Sequence, residues 1–387
     1  MIKAHAASVG APTAVGDYLL RTDRKHRVAG TTQAVLPRVL LTCPVSEASM
    51  NVSERMRLWS NLFRDQRWLY RVCAVDTTSG DGLRAGRVFR NVIARRRDLW
   101  RYGRDIVRAI GQFDIVHVVL PDGTDMTTTA FLPVFLGRFF GKRIIIDCRG
   151  SLAEFQSRGP GPLLVRILRL SDRVVASSDS IAGLLRREQI GCEVLGEAFD
   201  PLDLKPRNIQ SVQPRILCVQ SPHAESDAGL LMKTFKLVKE KYPRSEMVIL
   251  GTGSRRTELV ESAAAARLSG LAFESKTDTA AILRHLQSAD LYIETSSPGS
   301  DRTSLLRALA SGLPVVAEVC GASDVIIDRV NGLIVREGNP ASLADRIIEL
   351  IESPELVKRL SEQAKLTAQK FAWSQVSGQW LDIYRGL

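Results

Sequence analysis

The sequence predicts an α/β protein of two domains, each built around a parallel β-sheet. Short β-branched runs alternate with helical stretches from Pro37 onward, as in βαβ units. A stretch with three prolines and few apolar residues interrupts this alternation near the middle of the chain. The length of 387 residues, 45% of them apolar, is enough for two separate hydrophobic cores.

The interruption divides the chain into segments. Residues 1–36 are rich in Ala, Thr, Gly and basic residues and lack the continuous apolar run of an export signal, so a disordered extension is predicted there. Residues 37–198 form the predicted N-terminal domain, residues 199–214 the linker and residues 215–370 the C-terminal domain. Residues 371–387 are a terminal helix, for which crossing back to the N-terminal domain is one option.

Five strands are predicted in the first half, and each runs into polar, glycine or proline residues at its carboxyl end. They are Arg38–Thr42, Tyr70–Val75, Asp114–Leu120, Arg143–Asp147 and Arg173–Ser177. In open α/β sheets ligands bind beyond this edge, because the loops and the N-termini of the following helices form a crevice there.

The alternation restarts after the linker. The predicted strands are Arg215–Val219, Glu246–Leu250, Leu271–Phe273, Leu291–Glu294 and Pro314–Ala317. The predicted helices between them are Ala228–Lys241, Arg255–Arg267, Thr279–Ser288 and Ser304–Ser311. A second αβ unit similar to the first therefore follows, and a cleft between the two is expected.

The formal net charge of +11 indicates an anionic partner: a ligand, a membrane surface or a nucleic acid. Nine arginines lie between Arg84 and Arg108 among apolar residues, which predicts a basic amphipathic helix pair or one long helix. This segment either contacts an anionic membrane surface or is a solvated helix face. Nucleic acid is the least favoured partner, because the segment lacks a series of stacking aromatic residues and any nucleic-acid-binding motif.

Six cysteines are scattered without C-x-x-C spacing, mostly within apolar runs. This usage is typical of reduced, buried thiols in a cytoplasmic protein rather than of disulfides or zinc ligands, so no metal site is predicted. The apolar run Phe131–Phe140 is too short to span a bilayer and is followed by Lys142 and Arg143, so no transmembrane helix is predicted.

The loop Thr295–Ser304 (TSSPGSDRTS) lies between a predicted strand and a predicted helix. Backbone N–H groups in such a loop and at the helix N-terminus can face an anion such as a diphosphate. The hydroxyl groups of Ser296, Ser297, Ser300 and Thr303 could add donors. The alternative is that these side chains only cap the helix.

The segment Ala289–Val335 (ADLYIETSSPGSDRTSLLRALASGLPVVAEVCGASDVIIDRVNGLIV) resembles the corresponding segment of retaining glycosyltransferases of family 4. Further matching pieces are ILCV, GLLMKTFKLVKEKYPRSEMVILGTGS and the helices that start at Asn339, with fainter matches in VLLTCP, DIVHV, KRIIIDCRGS and SDRVVASSDSIAGLL. The resemblance covers the chain from Pro37 to Leu387. It implies a GT-B fold, in which two Rossmann-like domains with parallel sheets face each other across a cleft and the C-terminal domain holds a nucleotide-sugar.

The resemblance also implies donor-binding residues. Gly251 and Gly253 resemble the family's turn beside the nucleotide base, although this spacing also fits an ordinary βα turn. The Thr295–Ser304 loop is then placed at the donor diphosphate. Where the family has an Arg and a Lys that neutralise the diphosphate, this chain has Ser221 and Ser226. The charge-assisted hydrogen bonds that those two cations make to the leaving group are therefore absent at these positions.

A second departure concerns the family's pair of carboxylates before the Ala-x-Ala-x-Gly helix. Aligned without gaps, their positions are Gly299 and Arg307. A shift of the loop by two residues would instead let Asp301 stand in for the first carboxylate. Arg302 and Arg307 could supply the positive charge that the Ser221 region lacks.

In the N-terminal half, the family often has a His after the strand that matches KRIIID, near the reacting carbon. Arg149 occupies that place, and it can hold a phosphate or a developing charge but cannot act as a base near neutral pH. Asp147 and Glu154 are the nearest carboxylates and could orient an acceptor hydroxyl; helix capping is the alternative for Glu154. His117 either faces the crevice or is a sheet histidine with its hydrogen bonds satisfied.

The resemblance implies a retaining hexosyltransferase that moves a sugar from a nucleoside diphosphate-sugar to a saccharide or polyprenyl-linked acceptor, with no metal cofactor. Such an enzyme would serve polysaccharide or glycoconjugate synthesis in the cytoplasm, in part at the inner membrane face. The alternative is a non-catalytic GT-B relative that acts as a binding or scaffold subunit, because four expected polar positions are Ser221, Ser226, Gly299 and Arg307.

Overall fold

The computed structural model describes residues 37–45, 50–76, 100–120, 126–149, 161–201, 204–220, 227–251, 256–274, 278–295, 302–319, 324–336 and 338–387. The predicted extension over residues 1–36 lies outside this part of the chain, as does the arginine-rich segment up to residue 99.

The N-terminal sheet contains six parallel strands in the order β2-β1-β3-β4-β5-β6. The strands are β1 (Arg38–Val45), β2 (Leu69–Asp76), β3 (Ile115–Leu120), β4 (Arg143–Cys148), β5 (Arg173–Ala176) and β6 (Glu193–Val194). The described helices around it are α1 (Met50–Asp65), α2 (residues 100–110), α3 (Met126–Phe139), α4 (Pro162–Arg169) and α5 (Asp179–Arg187).

This sheet is covered on both faces, so its central strands are predominantly apolar. Alternate residues point to opposite faces. On β3, Val116 and Val118 pack against α2 to α5, whereas Ile115 and Val119 pack against α1 and the end of the chain. His117 shares the second face and is fully buried.

The C-terminal sheet also has six parallel strands, in the order β12-β11-β10-β7-β8-β9. They are β7 (Arg215–Val219), β8 (Glu246–Leu250), β9 (Leu271–Glu274), β10 (Leu291–Glu294), β11 (Val315–Glu318) and β12 (Leu333–Val335). The helices are α6 (Asp227–Lys241), α7 (Arg256–Ala265), α8 (Thr279–Ser288), α9 (Thr303–Ala310), α10 (Pro340–Glu352) and α11 (Pro354–Gln369). The strand order reverses between β7 and β10, which is where Rossmann-type sheets bind nucleotides.

Most of the predicted linker is packed rather than extended. Leu204, Ile209 and Val212 belong to the core of the C-terminal domain. The Arg207 backbone N–H donates to the Ser311 carbonyl at 2.9 Å. This close approach requires a glycine after α9: Gly312 has φ +77°, and a Cβ there would lie 2.5 Å from the Arg207 carbonyl oxygen.

The last helix, α12 (Trp373–Arg385), packs on the N-terminal sheet. Trp380 and Tyr384 share a core with Val39 and Leu41 of β1. Two segments therefore pass between the domains, and they run side by side, because the Trp373 backbone N–H donates to the Phe199 carbonyl at 2.9 Å.

The predicted α/β class with two parallel sheets is confirmed. Three C-terminal strands, β7, β8 and β10, have the predicted bounds. The edge strands β6 and β12 were not predicted, because two and three residues are too few to show alternation. Among the described cysteines, Cys43, Cys73, Cys148 and Cys218 are buried free thiols, and Cys192 is a half-buried one. No helix in the described ranges is long and apolar enough to cross a membrane.

Candidate functional site

A cleft of about 240 Å³ lies between the two domains. Its N-terminal wall consists of residues that follow β5 and β6 at their carboxyl ends: Ser177, Ser178, Asp179, Gly196 and Glu197. Its C-terminal wall consists of residues at the start of α9 and before β12: Arg302, Leu306, Asp324 and Val325, with Phe371 at the base. The cleft is therefore at the carboxyl edge where α/β sheets bind ligands.

Glu197 is one of two carboxylates in the N-terminal wall, and two arginines hold it. Its Oε2 atom lies 2.9 Å from Nη2 of Arg55 on α1 and 3.4 Å from Nη1 of Arg149 after β4. All three side chains are at most 14% exposed, so the ion pairs are little screened by water. Glu197 is thereby fixed at the edge of the cleft.

Arg149 links this pair to a second carboxylate below the cleft. Its Nε atom donates to both oxygens of Asp147 at 2.8 and 2.9 Å, and its Nη1 atom donates to the Gly196 carbonyl at 3.2 Å. Asp147 is fully buried. A buried carboxylate needs such a partner, because its desolvation is costly without one.

His117 lies beside Asp147 in the same buried network. Its Nδ1 atom shares a 2.5 Å hydrogen bond with Oη of Tyr384 on α12, and its Nε2 atom lies 3.9 Å from Oδ2 of Asp147. Burial lowers the pKa of the imidazole to about 4, although the Asp147 charge acts in the opposite direction. His117 is thus buried in the sheet and does not line the cleft, but only its Nδ1 atom is hydrogen-bonded: within the described residues, its buried Nε2 atom has no hydrogen-bond partner.

The C-terminal wall carries its own buried cation. Arg302 immediately precedes α9, is 6% exposed and lines the cleft. Its Nη1 atom lies 3.1 Å from Oδ2 of Asp324, which lines the cleft as well. A basic group at a helix N-terminus is well placed to meet an anion together with the backbone N–H groups.

The other two predicted donor residues on α9 point into the protein. Thr303 is 3% exposed and Arg307 is 2% exposed. Unlike Arg302 and Leu306, Arg307 is not among the residues that line the cleft. Where the family resemblance expects a carboxylate, this chain therefore buries a cation.

The segment from Val325 to Ile327 in the C-terminal wall is held by Asn331. Its Oδ1 atom accepts from the Ile327 backbone N–H at 2.7 Å, and its Nδ2 atom donates to the Val325 carbonyl at 2.9 Å and to Oγ1 of Thr367 at 3.0 Å. Asn331 is 1% exposed. The Asn-Gly dipeptide therefore does more than form a turn.

Gly251, one of the predicted donor residues, lies in the expected turn after β8. It is buried with φ +90°, and its backbone N–H donates to the Glu274 carbonyl at 2.9 Å. The other predicted donor and catalytic positions lie outside the described residues: Ser221, Gly253, Ser296, Ser297, Gly299, Ser300 and Asp301. Ser226 and Glu154 lie outside them too. Their roles remain predictions.

Sequence reasoning placed Asp147 and Arg149 at the site, and the structure brings them to its base, where they pair with each other. It missed Glu197, Arg55 and Asp324, which the structure brings to the cleft or to its supporting layer. Glu197 follows a strand of two residues, so no strand signal marked it as a carboxyl-edge residue. Arg55 is one of many arginines, and nothing local distinguishes it.

Two parallel sheets with a cleft at their carboxyl edges define the GT-B class of folds. HepE from Anabaena, crystallised with UDP and glucose, is similar in structure with a TM-score of 0.66 at 14% identity, over 91% of this chain and 100% of that one. Sucrose-phosphate synthase from Thermosynechococcus elongatus has a TM-score of 0.68 at 12% identity, over 90% of this chain and 98% of that one.

The family follows from the sequence of the C-terminal half. Residues 201–367 match the family of group 1 glycosyl transferases. They form a group 1 glycosyltransferase domain, in a chain whose whole fold is GT-B.

Two curated relatives match over similar lengths, 154 and 158 residues. An uncharacterised glycosyltransferase of Methanocaldococcus jannaschii is 29% identical over 39% of this chain and 39% of its own length. The phosphatidyl-myo-inositol mannosyltransferase of Mycobacterium leprae is 28% identical over 40% of this chain and 42% of its own length. The match thus spans less than half of each relative.

Proposed function

We propose that this protein transfers a sugar from a nucleoside diphosphate-sugar to a hydroxyl group of a second substrate in the cleft between its domains. The observation that carries the proposal is the position of Arg302: a buried cation at the start of a helix, on the wall that the group 1 glycosyltransferase domain contributes. Positive charge at that place fits the diphosphate of a donor.

The reaction breaks the bond between the anomeric carbon and a diphosphate oxygen and forms a bond from the same carbon to the acceptor oxygen. The leaving diphosphate takes the electron pair of the broken bond, and one of its oxygens accepts the proton that the acceptor hydroxyl loses. Arg302 and backbone N–H groups at the start of α9 would stabilise the charge that develops on the diphosphate, so the proposed chemistry uses no metal ion. Retention of configuration belongs to the proposal, on the strength of the family resemblance.

Glu197 is the carboxylate that we assign to the acceptor side. Arg55 and Arg149 hold its Oε2 atom, which leaves the carboxylate oriented at the wall of the cleft. It can accept a hydrogen bond from an acceptor hydroxyl and so orient it for attack. Asp147 and Arg149 act in this scheme through Glu197: Asp147 holds Arg149, and Arg149 holds Glu197.

Uridine diphosphate-sugars are the first donors to test, because HepE was crystallised with UDP and glucose. A saccharide or a lipid-linked sugar is the proposed acceptor. The name of the Mycobacterium leprae relative, a mannosyltransferase for phosphatidyl-myo-inositol, supports the inclusion of lipid acceptors in the test. Polysaccharide or glycoconjugate synthesis in the cytoplasm is the proposed setting.

Isothermal titration with uridine, guanosine and adenosine diphosphates and their sugars tests the donor site. We expect one of these nucleotides to bind, and the matching nucleotide-sugar to release its diphosphate more slowly without an acceptor than with one. A folded protein that binds none of them would rule out the transferase.

The second candidate, a non-catalytic binding subunit, is favoured by Arg307. A fully buried cation stands where the family resemblance expects a carboxylate for the donor ribose. This candidate predicts nucleotide binding without turnover across a panel of saccharide and lipid-linked acceptors. Turnover with any acceptor decides against it.

A further inference from the structure

Three neighbouring helices on one face of the N-terminal sheet leave large aromatic side chains in solvent. Five aromatic residues are exposed in the described part of the chain, and all five lie on or just after these helices: Trp100 (65% exposed), Phe131 (47%), Phe135 (53%), Phe139 (74%) and Phe140 (46%). We call the outer surface of α2, α3 and α4 the aromatic face.

The stripe on α3 results from residue spacing. Phe131, Phe135 and Phe139 recur every four residues and therefore share one side of the helix. The rings of Phe131 and Phe135 are stacked with centroids 5.8 Å apart. Ala130 and Val134, one position earlier in each turn, are fully buried against the sheet. The helix is thus apolar on both its inner and its outer side.

The three helices form one continuous surface. A Cβ at Gly103 of α2 would lie 2.9 Å from Cδ2 of Leu132 on α3, so α2 and α3 are in direct contact. On the other side, Nε of Arg138 donates to the Leu170 carbonyl at the end of α4. Leu163 and Leu170 extend the apolar surface there, at 49% and 44% exposed. An apolar patch of this extent marks an interaction surface.

The charge of the aromatic face is strongly positive. The three helices carry six arginines and one carboxylate, Asp105. The arginines are Arg101, Arg104, Arg108, Arg138, Arg166 and Arg169. Arg104 lies over the ring of Trp100, 5.2 Å from its centroid, so cation and aromatic ring are interleaved. The partner that complements such a surface is apolar in one layer and anionic in the next.

We propose that the aromatic face docks on an anionic lipid bilayer. The Phe and Trp rings would enter the boundary between headgroups and acyl chains, and the long arginine side chains would reach the phosphate groups. Sequence patterns offered a membrane contact on Arg84–Arg108 as one of two alternatives, the other being a solvated helix face. The apolar part of the contact lies instead on α3, whose sequence is too short to span a bilayer but suffices to lie on one.

The aromatic face lies on the flank of the N-terminal domain and extends away from the cleft. Helix α3 follows β3, so it starts at the carboxyl edge of the sheet, where the cleft lies, and runs away from it. The proposal goes beyond the proposed transferase activity. Vesicle binding is measured without nucleotide, so it can fail or succeed independently of sugar transfer.

Vesicle sedimentation of the full chain tests the proposal. We expect binding to vesicles of mixed phosphatidylglycerol and phosphatidylcholine, and much weaker binding to phosphatidylcholine alone. Binding should weaken as ionic strength rises from about 0.1 M to about 1 M, because the Debye length falls from about 10 Å to about 3 Å. Absence of binding to the anionic vesicles at the lower ionic strength overturns the proposal.

Paired variants separate the apolar from the ionic contribution. Phe135→Ser with Phe139→Ser should weaken vesicle binding about tenfold, through loss of apolar burial. Arg108→Gln with Arg166→Gln should weaken it about 25-fold, at about fivefold for each basic residue near the surface. The controls are Leu366→Ser, which removes a 53% exposed apolar side chain on α11, and Lys358→Gln with Arg359→Gln on the same helix.

The controls should bind vesicles like the unaltered protein, and equal losses in them would contradict the proposal. Urea unfolding of each variant excludes misfolding as the cause, because exposed side chains contribute little to stability. If the Phe pair instead changes the sedimentation coefficient of the protein while vesicle affinity stays constant, the aromatic face binds a second copy of the chain, and the bilayer is the wrong partner.

Discussion

The carboxyl edges of the two sheets share a topology but are equipped in opposite ways. At the N-terminal edge, an ionic network joins Arg55, Glu197, Arg149 and Asp147. Beside it, His117 is hydrogen-bonded to Tyr384 of the C-terminal helix α12. At the C-terminal edge, Arg302 pairs with Asp324, which is partly exposed, and lines the cleft. The first edge pairs its charges with one another, whereas in the proposed function the second offers Arg302 to a ligand.

Because of this difference, substitutions at the N-terminal edge should mainly affect stability, and substitutions at the C-terminal edge should mainly affect binding. Removal of one member of the N-terminal network leaves another charge buried without its partner, and this lowers the free energy of unfolding. Changes in the C-terminal wall alter groups that, by the proposed function, contact the ligand, or that hold the segment beside it. The following predictions test this division, from the largest effect to the smallest.

The largest effect is expected from Asp147→Ala. Loss of this carboxylate leaves the Arg149 guanidinium buried without its main partner, and we expect the free energy of unfolding to fall by about 3–5 kcal/mol in urea titrations. The control is Asp114→Ala, which removes the partner of Arg38 in an ion pair that is more than 40% exposed on both sides, and should cost less than about 1 kcal/mol. Equal effects of the two substitutions would contradict a buried network.

Stability should also fall in mild acid because of His117. Its pKa is about 4 in the folded protein, below the ordinary value of 6.5, so the unfolded chain binds the proton more readily. Stability from this residue is present above about pH 6.5 and is lost between about pH 6.5 and 4, by about 3 kcal/mol in total. Urea unfolding at pH 7 and pH 5 measures how steeply the free energy of unfolding changes with pH, and His117→Asn should make this change smaller. An unchanged slope would exclude His117 as its source.

Asn331→Ala should destabilise the C-terminal wall by about 2 kcal/mol, because two buried backbone groups at Val325 and Ile327 lose their partner. Asn339→Ala is a suitable comparison: Asn339 caps α10 at the surface, and its loss should cost about 1 kcal/mol. Thermal unfolding measures both variants. If Asn331→Ala lowers stability less than Asn339→Ala does, water must satisfy the Val325 carbonyl and the Ile327 backbone N–H in the variant.

Arg302→Gln should weaken binding of the best nucleoside diphosphate about tenfold, which is the effect of one charge-assisted hydrogen bond. It should cost less folding free energy than Asp147→Ala, because the Asp324 carboxylate that it leaves unpaired is 24% exposed. Arg346→Gln serves as control, since Arg346 pairs with Glu349 within α10, outside the residues that line the cleft. Titration calorimetry compares the two. If the Arg302 variant binds the nucleoside diphosphate as tightly as the unaltered protein, the C-terminal wall does not bind it through Arg302.

Sequence patterns predicted the central strands well because each is a short β-branched run with a turn at its carboxyl end. The bounds of β7, β8 and β10 were predicted without error. Patterns also identified Arg302 and Gly251 as residues at a carboxyl edge. They could not identify Glu197, which follows an edge strand of two residues, nor separate Arg55 from the other arginines of a basic chain.

The amino-acid sequence by itself determined the two parallel sheets, their order along the chain and the membership of residues 201–367 in a glycosyltransferase family. These properties depend on local periodicity and on motifs of neighbouring residues. Only the tertiary structure decided which charges meet. Arg55 and Glu197 are 142 positions apart, and His117 and Tyr384 are 267 apart. Such contacts arise when α1 and α12 pack on one sheet face, and no local pattern encodes that packing.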